Sequence, residues 1–434
     1  MRLMFGKILF LMLAMPAMQA QANSDEVAFQ KAMLYTVKIK SRVQIPFIGD
    51  RKGTQIGAGF VVDARRGWIM TNAHVVARSP SEVKVLFRGG EYLPARKLYV
   101  DPYVDFAIVE ISRKHKPKNL QVAQLECQKI PAVGHAVGAF GHPWNLSFTG
   151  TKGIISGVTA KYAQQTEMIQ TDAPINPGNS GGPLISLRSG KVVGLSTASR
   201  RFSQNTNFAV PMTHACRILR LLQRGKNPSP PELPYIFYRD VDETNKLVVA
   251  KSHHKKGGIR LQEGDVIKQV VGVPGKISNR GQLTQILRGR LGDVRLKIVR
   301  NNKPMILRGK LRPSPNIKKR QGIVISGLLF SYVPWKNADD FIVGKPNITV
   351  HYVERGSIGD AQKIRAMDIL VAVNGRPIKD LTVLKIVARR AQRSKRKIKL
   401  RFIRIGSNIR GNLFSYVIRP LRVEKIKLIG QGSS

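Results

Sequence analysis

Acid is scarce in this chain. Its 434 residues carry 26 Asp and Glu against 73 Lys and Arg, a formal charge of +47. Cysteine is scarcer still: two residues exclude a disulfide-framework protein and a zinc site built on several thiolates. Aromatic residues make up only 7%. None interleaves the basic run Arg393-Ser394-Lys395-Arg396-Lys397, so stacking of nucleic-acid bases is not indicated. Beyond the first residues no apolar run is long enough to cross a membrane as a helix. His135, His142, His214 and His351 have no acidic or Cys partner at ligand spacing, and His115, His253 and His254 lie in polar stretches. No metal site and no cofactor is expected from them.

What remains is still a globular chain. Forty-two per cent of residues are hydrophobic, which excludes wholesale disorder, and the length allows about two to four domains. The basic excess is uneven: residues 226–434 hold 44 basic and 14 acidic side chains. Such a balance attracts polyanions, whether nucleic acid, anionic lipid or acidic protein; a solvated basic surface accounts for it equally well. Residues 1–22 have a basic start, a short apolar run Ile8–Met15 and the ending Ala20-Gln21-Ala22. This is the pattern of a signal peptide cleaved after Ala22 or Ala20, and it places the mature chain outside the cytoplasm. An uncleaved anchor is the alternative, with an apolar run short for a span.

From residue 23 to 225 short β-branched runs recur between Gly, Pro and Asn, as in Val83–Phe87 and Phe106–Ile111. The expectation is a mainly β domain, a barrel or sandwich. Thr213–Arg224 reads as one helix ended by Gly225, followed by the linker Lys226–Pro231. Two similar units follow, at 226–313 and 314–425, with 426–434 left as a tail. Gly264–Gly272 in the first answers to Ala366–Gly375 in the second. Each continues into a helix and a basic strand pair, so one small α+β domain is duplicated.

Three local sequences carry chemistry. Thr71-Asn72-Ala73-His74-Val75-Val76 follows a strand, Asp105-Phe106-Ala107-Ile108 begins another, and Asn176-Pro177-Gly178-Asn179-Ser180-Gly181-Gly182-Pro183-Leu184 forms a Gly/Pro-rich loop. A serine hydroxyl needs a base, and an imidazole needs a carboxylate to fix its tautomer and stabilise its cation. His74, Asp105 and Ser180 supply these roles in that chain order. The glycines let Gly178-Asn179-Ser180 turn tightly, so that the N–H groups of Gly178 and Ser180 can aim at one oxyanion.

On these motifs residues 27–225 resemble the trypsin-fold serine proteases of the HtrA (Deg) family, and both C-terminal units look like PDZ domains. The resemblance implies two six-stranded β-barrels with the triad between them, trimeric assembly, and ATP-independent cleavage of misfolded exported proteins in the periplasm; a place peripheral to a membrane is the alternative that the basic surface leaves open. It places Ile175 on one wall of the S1 pocket, favouring small or medium aliphatic P1 residues. Ser196-Thr197-Ala198 matches the segment that pairs with substrate backbone. It also implies a peptide-carboxylate loop at Gly322-Ile323-Val324 in the second unit. The first unit lacks that glycine loop, and Pro234 removes a donor, which argues against peptide capture there. The resemblance brings Cys127 near Cys216; a disulfide and two buried thiols remain open alternatives. Tyr162–Glu167, Pro174–Asn179 and Ser199–Asn205 resemble activation loops. Phe29, Met33, Leu34 and Tyr35 are expected to be offered to trimer partners. A holdase or polyanion-binding scaffold with secondary proteolysis is the alternative function.

Overall fold

The computed structural model describes residues 25–430 except 147, 160–166, 200–205, 234, 238–245, 253–257, 276, 315–316, 318–319, 333–346, 379 and 409–410. The signal segment 1–22 lies outside the described residues, as do most of the loops Tyr162–Glu167 and Ser199–Asn205 and the residue Pro234. Among the described residues no helix is long and apolar enough to cross a membrane.

Two barrels form the N-terminal half. The first comprises β1 (Thr36–Val43), β2 (Gly53–Asp63), β3 (Trp68–Thr71), β4 (Glu82–Leu86), β5 (Tyr92–Asp101) and β6 (Phe106–Ile111), closed in the order β1-β2-β3-β6-β5-β4. The second comprises β7 (Ala136–Gly141), β8 (Thr149–Thr159), β9 (Met168–Thr171), β10 (Pro183–Ser186), β11 (Val192–Ser199) and β12 (Asn207–Pro211), closed as β10-β11-β12-β9-β8-β7. Alternation drives the strands: in β4, Val83 and Val85 point into the core while Glu82 and Lys84 face water. Closure leaves neither barrel with a free edge.

Residues 25–35 form a helix that packs on the barrels. Ala28, Ala32 and Tyr35 are buried, Met33 rests against the same core, and the Phe29 ring stands 6.2 Å from that of Phe140. The expectation that these residues face partners is therefore corrected. An amphipathic helix can bury its apolar stripe on its own chain, and of the four named residues only Leu34 stays exposed.

The helix Met212–Gln223 returns to the connection between the barrels, where Cys216 and Cys127 form a disulfide with Cα atoms 5.7 Å apart. The alternative of two free thiols is thereby settled for this structure.

The two C-terminal units share one plan. In the first, the sheet runs Tyr235–Phe237, Leu247–Ser252, Val266–Val270, Gly292–Arg300, Lys303–Leu311. In the second, Leu328–Tyr332, Ile348–Val353, Ile369–Val373, Lys397–Asn408 and Gly411–Arg422 follow the same order. The likeness extends to single bonds. Arg300 grips Asp265 through Nε (2.7 Å) and Nη2 (2.7 Å), and Arg404 grips Asp368 through Nε (2.7 Å) and Nη2 (2.6 Å). Each arginine also donates Nη2 to a backbone carbonyl, of Arg260 or of Lys363. The helices Arg280–Leu287 and Leu381–Ser394 are capped alike, by the side chains of Asn279 and Asp380.

The second unit adds three strands to this plan, the shortest being Arg376–Pro377 beside Ile369–Val373. Gly322–Ile325 pairs with Leu328–Tyr332 on one side and with Ile426–Ile429 on the other. Residues 426–429 are thus a strand of the sheet, where the sequence suggested a tail; the run Ile-Lys-Leu-Ile finds an edge to pair with.

The first unit docks on the first barrel through a buried ion pair. Arg288 donates to Asp101 at the end of β5, both side chains being fully buried, and its Nη1 also donates to Pro228 O (2.9 Å). Removing one partner strands a buried charge. Arg288→Leu is expected to lower unfolding free energy by about 3–5 kcal/mol, read as a fall in the denaturant midpoint. Loss of the disulfide in Cys127→Ala/Cys216→Ala is expected to cost up to about 4 kcal/mol; an unchanged midpoint would show that the bridge restrains nothing.

Candidate active site

The site begins with a turn. Asp101 Oδ1 accepts the N–H groups of Tyr103 (2.8 Å) and Val104 (3.2 Å), and Oδ2 accepts the Tyr99 hydroxyl (2.8 Å). The turn delivers Asp105 in the left-handed region, at φ 52°. Such a conformation costs on the order of 1–3 kcal/mol outside glycine and survives only where its surroundings fix it. Here Asn72 Nδ2 donates to the Asp105 carbonyl (2.8 Å).

His74 stands on the helical turn Ala73–Val76 that follows β3. Its main-chain N–H donates to Asp105 Oδ1 (3.0 Å), and its Nδ1 lies 2.7 Å from Oδ2. A carboxylate only accepts, so Nδ1 carries the proton and Nε2 is left as the basic nitrogen. Burial disfavours the imidazolium, but the charge and hydrogen bond of Asp105 outweigh it and hold the His74 pKa above its ordinary value. Burial likewise works to raise the Asp105 pKa. The His74 charge and hydrogen bonds from His74 and Thr197 win, and the carboxyl stays below its usual range.

Ser180 lies in the loop between β9 and β10. Its carbonyl accepts the Ala58 N–H of β2 (2.8 Å), which ties the second-barrel loop to the first barrel. Its hydroxyl donates to the Thr197 carbonyl (3.0 Å). Thr197 in turn donates Oγ1 to Asp105 Oδ2 (2.5 Å). One residue of β11 therefore touches both the serine and the acid. To act on a substrate with His74, the Ser180 Oγ has to leave the Thr197 carbonyl.

The loop ahead of the serine needs its glycines. A Cβ on Gly178, at φ 113°, would stand 2.1 Å from the His142 carbonyl; one on Gly181, at φ 85°, would stand 2.2 Å from Ala58 O and Thr71 Oγ1. Among the described residues the N–H groups of Gly178 and Ser180 donate to no acceptor, whereas that of Asn179 is taken by Asn176 O (2.9 Å). The free pair of donors is thus Gly178 and Ser180, and Asn179 is not a third. The Asn179 side chain is buried without a partner for either amide atom.

Other expected residues are placed differently. Ile175 packs in the second-barrel core with Val137, Ile155 and Leu184 and is 4% exposed. It does not stand open to a substrate, because its loop enters the barrel end. The backbone of Ser196 is already bonded to Gly181 and Gly182 (2.8 and 3.0 Å), while Ala198 pairs with Phe208 across β11 and β12. Gly322, Ile323 and Val324 form a strand with both edges filled, and no N–H loop open to a peptide carboxylate. The β-branched run Ile-Val-Ile favours that extended strand. Thr197 as the partner of Asp105, Asn72 beneath it, and Asp101 behind the turn were not legible as such. His142, just before the Gly178 loop in space, is another. It is fully buried, burial and then Lys38 push its pKa down to about 4, and its N–H donates to Gly178 O (3.2 Å). Its place beside the glycine loop depends on pairing β7 with β10, which no local motif announces.

Comparison with known proteins agrees with this fold. A profile described as a trypsin-like peptidase domain matches residues 57–195, and one described as a PDZ domain matches residues 317–402. The periplasmic serine endoprotease DegP of Escherichia coli is 27% identical over 358 residues, covering 78% of this chain and 72% of DegP. A Synechocystis protein described as a serine protease, HhoA, is 34% identical over 262 residues, covering 53% of this chain. The chain spans 63% of the length of HhoA and 54% of that of its relative HhoB. A solved structure of the HtrA-type protease AlgW with a tripeptide superposes with a TM-score of 0.55 at 24% identity, covering 67% of this chain and 97% of AlgW. At that identity the likeness carries the fold alone.

The raised His74 pKa sets the acid limb of the site. The ordinary histidine value is 6.5. Only neutral His74 accepts a proton, so kcat/KM for a peptide substrate is expected to rise with pH through an apparent pKa above that value. Thr197→Val removes a hydrogen bond to a buried carboxylate, a loss of about 1.5–3 kcal/mol. It is expected to reduce kcat by at least about tenfold, on the scale of 1.4 kcal/mol per decade. An unchanged profile in this variant would show that Thr197 does not hold Asp105.

Proposed function

We propose that this chain, a trypsin-like serine peptidase with a PDZ domain of the HtrA kind, is an exported, ATP-independent endopeptidase that cleaves unfolded proteins in the periplasm. The observation that carries the reading is the bond between His74 Nδ1 and Asp105 at 2.7 Å, with Ser180 held beside them through Thr197. In this mechanism Ser180 Oγ attacks the scissile carbonyl while His74 Nε2 takes its proton and later returns it to the leaving amine. Asp105 stabilises the imidazolium. The N–H groups of Gly178 and Ser180 stabilise the oxyanion, each worth about 3–4 kcal/mol in the transition state. No acidic residue occurs in Ala173–Asn179, which supports an apolar P1 preference.

The first C-terminal unit is read as a second PDZ domain, on the shared strand order and the repeated Asp–Arg grip. This reading shifts the place of peptide capture. Among the described residues Tyr235–Phe237 pairs only with Leu247–Ser252 and ends its sheet, while the matching strand of the second unit is covered by Gly322–Ile325. An added substrate strand therefore goes to the first unit. Trimeric assembly is proposed on resemblance to HtrA proteases. So is a periplasmic location, with relatives named as periplasmic and the signal pattern of residues 1–22 in support.

Ser180→Ala is expected to abolish hydrolysis of unfolded casein while leaving the circular dichroism spectrum and the particle mass by light scattering unchanged. Residual cleavage at the wild-type rate would remove the nucleophile assignment, and a monomer mass at micromolar concentration would remove the trimer.

A further inference from the structure

Part of the basic excess of the chain lines one cavity. Between the first barrel and the second C-terminal unit lies a cavity of about 580 Å³, within the size range of small-ligand sites. Arg42, Arg78, Arg96 and Lys97 line it from the barrel, and Arg320 and Lys427 from the other side. Glu82 is the only carboxylate in the lining. It already pairs with Lys84 (3.4 Å), as Arg96 pairs with Glu110. Among the described residues no carboxylate lies within ion-pair distance of Arg42, Arg78, Arg320 or Lys427.

Each of the two inner arginines is left incomplete. Arg320 lies over the Phe47 ring at 4.2 Å and donates Nη2 to Tyr332 O (3.1 Å), but its Nε is buried with no acceptor. Arg78 likewise has a buried Nε with no acceptor. Burial brings the Arg320 pKa down to about 10; Asp50 opposes the shift and Arg78 adds to it. Asp50 itself accepts both the N–H and the hydroxyl of Ser79 (2.6 and 2.5 Å). Glu82 and the nearby Asp50 are already engaged by Lys84 and Ser79; the like charges that line the recess outnumber them and repel, and an anion in the recess removes that repulsion.

We propose that this cavity is a binding site for a compact, multivalent phosphate-bearing anion, which bridges the first barrel and the second C-terminal unit. Guanidinium groups present forked donors that match phosphate oxygens, and three arginines line this cavity beyond the already paired Arg96. The lining contains no aromatic residue, so nucleic-acid bases have nothing to stack on. The cavity is also lined by Ile429, the last residue of the strand that covers Gly322–Ile325, and by Gly430 after it. A bound anion would therefore fasten that strand to the barrel as well.

The test is independent of the peptidase reading, because it measures binding and not cleavage. Tripolyphosphate is titrated calorimetrically into the full chain and into three variants. In Arg78→Gln/Arg320→Gln the affinity is expected to fall more than about tenfold. Arg42→Gln/Lys427→Gln changes two exposed residues at the rim, leaves the Phe47 contact intact, and is expected to weaken binding severalfold; it serves if the first pair fails to fold. Arg390→Gln/Arg393→Gln, on the exposed face of helix Leu381–Ser394, is expected to change nothing. Absence of tripolyphosphate binding to the wild-type chain overturns the proposal, and so does equal weakening by the remote pair. Co-sedimentation with phosphatidylglycerol vesicles separates the sources. Vesicle binding that tripolyphosphate competes away and the cavity variants lose assigns the anion to a lipid headgroup. Wild-type binding of tripolyphosphate without vesicle binding assigns it to a soluble phosphate.

Discussion

Much of this molecule hangs on the carboxylate of Asp101. It closes β5, accepts two backbone N–H groups of the turn that presents Asp105, accepts the Tyr99 hydroxyl, and receives the Arg288 guanidinium from the first C-terminal unit. An ion pair so completely buried needs each of its oxygens satisfied, since each unmet bond would leave charge in a low-dielectric interior. The same four bonds fix the catalytic turn and dock a domain. The strained backbone of Asp105 is held by this set together with Asn72. The position of the acid behind His74 is thus a property of two domains and not of the barrel alone.

The second constraint is economy around Thr197. Its carbonyl holds the Ser180 hydroxyl and its side chain holds Asp105, so nucleophile and acid share a residue. In the resting geometry the hydroxyl points to an acceptor that cannot deprotonate it. The imidazole is already oriented and its tautomer fixed. The glycine loop at 178–182 is wedged against His142, Ala58 and Phe140 carbonyls that leave no room for a Cβ.

The legible part of the sequence was the part encoded in short range. Alternating β-branched runs gave the barrel strands, and the motifs around His74 and Asp105 gave two residues that meet, with Ser180 joined to them through Thr197. What escaped notice depends on which strand lies beside which. Thr197 was assigned to substrate pairing because its strand matched that role; only the closure of β11 against the site shows its hydroxyl at Asp105. Ile175 was aimed at a pocket by the family resemblance, and barrel closure instead packs it among Val137 and Leu184. Gly322–Val324 was matched by its glycine and hydrophobic pattern. That pattern also suits an inner strand, and the partner that makes it one, Ile426–Ile429, carries too little local signal to stand out from a tail.

That last strand has a consequence for how the chain is made. Gly322–Ile325 leaves the ribosome long before Ile426–Ile429, so for that interval it has one edge unpaired. An extended, apolar edge invites pairing with another copy. The Lys residues at 425 and 427 that flank and interrupt the late strand keep it soluble until it arrives. The second unit therefore completes its sheet only when Ile426–Ile429 has been made, about a hundred residues after the strand it covers.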